Sequence, residues 1–490
     1  MNDLSDLKNT ELAIVKGDTP KETVLKGIEI LGGINKFIEE GDQVFIKFNL
    51  CLPSGFPANI NFDVLESVIT SCNKAGANNI RIGSYPFKGV SINTISNLLN
   101  LKEYFNKLGT EIAFLDNSDV FKKKNIKRDQ LNGIKNKSFS KMLIKEKEYL
   151  VPKIITNSDK FIIVNQVNVN PLFKLNLSLL NLYSIIPPKY QDIRRNESQD
   201  NDYISSDQYK KDIISNILDV LTIKQPDLVI NDFFFLLERA GPYIYVDSNL
   251  KKTGIIIVGN NAVSVDLITL KLLNIEGQND QLILKANQRG LGIIDLQKIK
   301  ILGEKIEDNK VDIDLCVSKL EDIKLKNIVV NTGRYCSGCF KQAYHLLNFM
   351  KTYMTKDLKY NPNNAFLVGQ NPLEPDHFNN ILLFGDCAIT SNKNSNFRKI
   401  KKISKKKVAN KKKSKKLQKY GFDKTEKIKY QTNKKILELP GCPPDILNCL
   451  ELIIKHYGKS NLPNLSFFWK LLAILVNPKE KEKLRVMGVI

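Results

Sequence analysis

The sequence predicts an α/β protein with two parallel-sheet domains, and three observations carry that prediction. Short β-branched runs alternate with helical stretches over the first 275 residues, the pattern of strands joined by crossover helices. A charge-mixed stretch at about 303–325 reads as a linker. Beyond it the alternation restarts, and three further strands each run into a loop that contains cysteine. The expected domains are therefore 1–325 and 326–490, a division that suits a chain of 490 residues, too long for one core to organise easily.

In chain order, strands are expected at 12–16, 43–48, 79–83, 111–115, 160–164, 227–231 and 254–258. Between the second and third, Leu65, Val68, Ile69 and Cys72 fall at helical spacing and the pattern stops at Ala75-Gly76, so a helix is predicted over 64–74. Cys72 lies on the apolar stripe and belongs to the core. Segments 117–150 and 190–212 are charged and weakly periodic, as surface insertions are. In the second domain the strands are expected at 326–331, 380–384 and 434–439.

Composition narrows the chemistry. The first residues carry no basic segment followed by an apolar one, so no secretory leader is expected and the cytoplasm is the expected location. No apolar run reaches the roughly 18 to 20 residues of a membrane span; the nearest, 465–476, contains Lys470 and reads as a core helix. Eight cysteines in a reducing compartment point to metal or redox chemistry rather than a disulfide framework. The chain has three histidines, His345, His377 and His456, too few for a histidine metal site or triad, and lacks the glycine-rich phosphate loops of nucleotide sites.

The formal charge is +22, and segment 398–417 alone holds twelve basic residues and no acid. Lysine dominates there and no aromatic interleaves, which favours a solvated loop over a nucleic-acid surface; docking onto an anionic partner is the alternative.

Four cysteines form the main constellation. Cys336 and Cys339 make a CxxC pair within TGRYCSGC, Cys387 follows Gly385-Asp386, and Cys442 follows Gly441 and precedes two prolines. Four thiolates are what a cubane cluster requires, and flanking glycines let backbone N–H groups approach the sulfurs. In an open α/β sheet the loops beyond the strands' carboxyl ends can converge on one site. A four-cysteine zinc uses the same ligands, although zinc sites more often pair CxxC with CxxC. Cys449 falls within a predicted helix and reads as packed; Cys51 and Cys316 have no cysteine partner in sequence.

The order CxxC, Gly-x-Cys-Ala, Gly-Cys-Pro-Pro over about 326–460 resembles the cluster domain of nickel-iron hydrogenase small subunits and the related complex I subunit. The resemblance implies a flavodoxin-like C-terminal domain binding one 4Fe-4S cluster through Cys336, Cys339, Cys387 and Cys442. The insertion between the last two ligands departs from that pattern.

The segments GDQVFIKFNL, ESVITSCNKAGANNIRIGSYP, DLVINDFFFLLERAGP and IIIVGNNAVSVDLITLKLL resemble the family called domain of unknown function 362 over about 40–275. Matched by motif, Lys47, Glu238 and Asp266 are the candidate catalytic residues. Lys47 with Glu238 or Asp266 can bind a small anionic ligand and move a proton, or Lys47 and Asp266 form a structural ion pair. Where the family has titratable groups, this chain has Gln166, Asn168, Asn170 and Leu180, which cannot exchange protons near neutrality.

The expected function is that of an iron-sulfur protein in electron transfer, or a redox-linked enzyme such as an oxidoreductase, served by an acidic ferredoxin-like partner. The alternatives are a non-redox interaction protein that binds RNA or another anionic partner and keeps a structural cluster, and a zinc-stabilised enzyme.

Overall fold

The computed structural model describes residues 9–51, 55–86, 92–115, 139–144, 147–187, 207–277, 280–360, 362–375, 378–398 and 435–458. The chain divides into two compact units, Met1–Ile193 with Lys211–Cys316, and Arg194–Lys210 with Val317–Ile490. Both are α/β, with sheets dominated by parallel strands.

The main sheet of the first unit contains β1 (Glu11–Lys16), β2 (Gln43–Phe48), β3 (Asn79–Gly83), β4 (Thr110–Ile112), β5 (Lys160–Gln166), β6 (Leu228–Asp232), β7 (Ile255–Gly259) and β8 (Lys300–Gly303). Their order is β8-β1-β7-β6-β5-β2-β3-β4. Only β7 runs against its neighbours, β1 and β6. The central strands are apolar along nearly their whole length (FIIV, LVI, IIIV) and buried, as expected of a sheet covered on both faces.

Helix α1 (Pro20–Ile30) starts at Thr19, whose side chain accepts the Glu22 N–H, with Pro20 preset for the first turn. In α2 (Phe62–Lys74) the expected stripe Leu65, Val68, Ile69 and Cys72 is fully buried, and the chain leaves the helix through Gly76 at φ +84°. Further along lie α3 (Ser178–Leu182), α4 (Gln208–Ile223) and α5 (Ala262–Leu272), the last buried on almost every side.

Two segments differ from the sequence expectation. Within 117–150 a hairpin pairs Phe139–Ile144 with Lys147–Pro152 and buries Tyr149, Leu150 and Val151. At the start of the expected linker, 300–303 is the edge strand β8, paired parallel to β1. An edge strand with one neighbour needs little apolar content, so its sequence carries little signal.

The sheet of the second unit contains β9 (Ile328–Thr332), β10 (Asn364–Val368), β11 (Asn380–Phe384) and β12 (Lys435–Leu439), all parallel and in consecutive order. Strand β10 was not anticipated from the sequence; it lies between β9 and β11. The consecutive order is not the 2-1-3-4-5 order of flavodoxin. Helices α6 (Ser337–Tyr353), α7 (Asp386–Ser391) and α8 (Ile446–Gly458) follow β9, β11 and β12. Ala365, Leu367, Ile381, Leu383 and Phe397 form a core cluster. Cys449 is buried in α8, and burial pushes its thiol up to about 12.

Among the described residues no helix is long and apolar enough to cross a membrane. The basic run beyond Arg398, segment 465–476 and His377 lie outside the described residues.

Candidate functional site

At the carboxyl end of β9 the chain turns through Gly333, where an added Cβ would lie 1.9 Å from the Gln370 carbonyl oxygen. The turn is held there because the Gly333 N–H donates to the Val368 carbonyl, and Arg334 and Gln370 exchange backbone hydrogen bonds. The loop after β10, which has no cysteine, thus fixes the entry to the CxxC motif.

Cys336 is the N-cap of α6. The nearby Cys339 thiol, foremost, and the Cys339 and Gly338 backbone hold the pKa of Cys336 below the ordinary thiol value against the opposing effect of burial. Cys339 moves well above that value: it shares its proton with Cys336, it is buried, and the sulfurs of Cys336, Cys442 and Cys387 lie close by. All four cysteines of the motif are therefore within electrostatic reach of Cys339.

The loops after β11 and β12 are stitched together by hydrogen bonds. The Gly385 N–H donates to the Leu439 carbonyl (2.9 Å) and the Asp386 N–H to the Gly441 carbonyl (3.1 Å). In return the Asp386 carboxylate accepts the Gly441 N–H at 2.8 Å. Gly385 has φ +88°, and a Cβ there would stand 3.4 Å from the Cys339 sulfur. A Cβ on Gly338 would meet Pro443 at 3.2 Å and Tyr209 at 2.9 Å. The glycines thus leave room beside the sulfurs that a side chain would fill. Cys336 and Cys339 are buried, whereas Cys387 and Cys442 are half-buried.

Residues 207–209 were not expected here, because 190–212 reads as a surface insertion. Asp207 accepts the Ser337 N–H at 3.4 Å, its charge acts on Cys336, and Tyr209 lies buried against Gly338. The hydroxyl of Ser337, which follows Cys336 in sequence, is buried and has no hydrogen-bond partner. As the side chains stand, no three His, Cys, Asp or Glu among the described residues gather around a single ion.

The other polar concentration is the carboxyl edge of the first unit's main sheet, where Lys47, Asn49, Ser84, Asn165, Gln166, Asn231 and Asp232 are all buried. Lys47 Nζ donates to the Phe48 carbonyl (2.9 Å), Ser84 Oγ (3.0 Å) and Asn181 Oδ1 (2.6 Å). Burial brings its pKa down to about 7, partly opposed by Cys51 nearby. Asp266 accepts from the Ser178 N–H and hydroxyl, the Leu179 N–H and Asn231 Nδ2. Burial lifts its pKa to about 6 against those four bonds.

Residues 44–271 match the family model described as Domain of unknown function (DUF362). The match runs from β2 into α5 and includes every residue of the polar edge just described. No curated protein matches the chain at a significant level.

Within the DUF362 region the three candidate residues do not form one site. Lys47 and Asp266 make no ion pair; they hold opposite ends of α3, with Asp266 on its first N–H groups and Lys47 on Asn181 near its end. That is the sense in which a helix dipole is complemented. Glu238 belongs elsewhere: it accepts from Asn249 at 2.7 Å and from the Asp314 N–H at 3.2 Å, and pairs with Lys251 at 3.6 Å. All three Lys47 donors are engaged by the protein, so the anion-binding reading of Lys47 has no N–H left to offer a ligand.

The amides Gln166, Asn168 and Asn170 hold backbone groups of neighbouring segments. Asn168 donates to the Pro57 carbonyl and accepts the Leu237 N–H, and Asn170 accepts the Leu172 and Phe173 N–H groups. Gln166 donates to the Asp232 and Phe235 carbonyls, leaving its own oxygen without a partner. The neighbouring Asp232 Oδ2 and the Asn165 Oδ1 are likewise buried without partners.

Proposed function

We propose that this protein binds one 4Fe-4S cluster through Cys336, Cys339, Cys387 and Cys442 and works in cytoplasmic electron transfer or as a redox-linked enzyme. The observation that carries the reading is the convergence of three strand-end loops on Cys339, with Cys387 and Cys442 close enough to act on its ionisation. The donor set fits the group. Four thiols come from three loops, and Gly385 leaves space beside the Cys339 sulfur.

When bound, the cluster supplies one-electron chemistry. The chain's part is to hold the sulfurs and tune their surroundings. The positive end of α6 favours thiolate at Cys336, its N-cap. The crossed hydrogen bonds of Asp386 and Gly441 fix the spacing of the Cys387 and Cys442 loops. Cys387 and Cys442, the more exposed pair, mark the side from which an electron arrives. The lysine-rich run that follows Arg398 enters the chain between these two ligands and suits an acidic ferredoxin-like partner by charge steering.

The test is anaerobic purification with iron, sulfide and zinc counted per chain, for the wild type and Cys442→Ser. About four irons and four sulfides, lost or spectrally altered in the variant, are expected. Zinc without sulfide, or no metal in anaerobically prepared protein, would sink the reading.

A further inference from the structure

We infer that Asp207 holds the reduction potential of the four-cysteine site low by setting its carboxylate against the first turn of α6; the inference deepens the cluster reading above and rests on it. Asp207 belongs to the same compact unit as the four cysteines and lies just before α4. Its backbone has φ +50°, in the left-handed region that residues with a side chain avoid and that aspartate and asparagine, after glycine, tolerate best. A residue kept in such a conformation is fixed by its surroundings.

Two contacts fix this one. The carboxylate accepts the Ser337 N–H at 3.4 Å, and the buried Tyr209 ring packs on the following residue, where a Cβ on Gly338 would stand only 2.9 Å from it. The Ser337 nitrogen forms the peptide bond with Cys336, so the carboxylate is held beside the backbone of the first cysteine. Its charge acts on that cysteine.

The sign follows from charge. On reduction the site takes one electron from an external donor and becomes one unit more negative, beside a carboxylate that stays ionised. Asp207 also occupies a backbone N–H of the helix start, one of the groups that give this end of α6 its positive character. Both effects make the reduced state less favourable, so the aspartate lowers the midpoint potential. Asp207 is half-buried, and its charge is open to screening by salt.

The experiment is a reductive titration with dithionite, followed by electron paramagnetic resonance, on wild type, Asp207→Asn and Asp207→Gly, with iron and sulfide counted in each sample. Asparagine keeps the acceptor and tolerates the positive φ but carries no charge. Asp207→Asn is expected to keep its iron and to shift the reduced-to-oxidised ratio at the wild-type midpoint about tenfold toward reduced, about 59 mV for a one-electron couple. In about 1 M KCl the gap between wild type and Asp207→Asn narrows, because the charge that separates them is screened. Asp207→Gly, which loses the hydrogen bond as well, shifts at least as far, and it carries the measurement if Asp207→Asn fails to hold iron. A full cluster with an unmoved midpoint in the uncharged variant, or a shift that salt leaves unchanged, overturns the inference, whereas a wild type without iron and sulfide removes the cluster reading itself.

Discussion

The two sheets end in polar clusters of opposite character. In the DUF362 region, Lys47 and Asp266 are consumed by the fold, and the atoms left over are acceptors: Asn165 Oδ1, Gln166 Oε1 and Asp232 Oδ2. At the ends of β9, β11 and β12 the polar groups are four thiols not joined in disulfides and a buried hydroxyl, Ser337 Oγ, without a partner. Strand-end position is thus the same in both units, but one edge is a network of amides and carboxylates and the other is rich in thiols. Location at a carboxyl edge marks where a site can be; the balance of donors and acceptors decides what it can hold.

If the first edge is structural, damage there should appear as lost stability. Asp266→Ala leaves the Ser178 and Leu179 N–H groups without an acceptor and removes one of the two acceptors of Asn231, which keeps Thr269. A loss of about 3 to 5 kcal/mol in denaturant unfolding is expected, with iron content per folded chain unchanged. A small loss of stability would break the contrast.

Asp232 sharpens it. Burial raises its pKa to about 7, and the Phe234 N–H opposes the shift only in part. Because the folded value lies above the unfolded one, near 3.9, the folded state holds the proton more tightly. The stabilisation is complete below about pH 4 and is lost as pH rises through about 7. Across that window the stability of wild type relative to Asp232→Asn should fall by on the order of 2 to 3 kcal/mol, read from unfolding midpoints at several pH values. A pH-independent difference would show that the carboxyl is already ionised and partnered.

The smallest effect is expected at Gly385. Alanine there is forced into φ +88° and sets a methyl 3.4 Å from the Cys339 sulfur. About 1 to 2 kcal/mol of stability should be lost, together with a measurable fall in iron per chain. Full iron content in Gly385→Ala would mean that the space beside Cys339 is not needed.

Much of this was legible in the primary structure where local physics decides. The runs that became β2, β3 and β11 carry apolar residues at strand spacing, and their limits agree residue for residue with the expectation. The stripe of α2 and the glycine that ends it were equally plain. Strand β10, with the sequence NAFLV, is short and follows a polar stretch, so periodicity did not separate it from a loop.

Sequence by itself determined the α/β class and most strand positions, because each follows from patterns a few residues long, and it singled out four cysteines at strand-end loops. Tertiary structure alone decided the rest. Lys47 and Asp266 meet different ends of one helix instead of each other, Asp207 and Tyr209 leave an apparent surface insertion to pack on the CxxC loop, and Ser337 ends without a partner. The physical reason is that a buried polar group is settled by whatever atoms the fold brings within about 3 Å, and those atoms come from residues as far away as the 130 positions that separate Asp207 from Ser337.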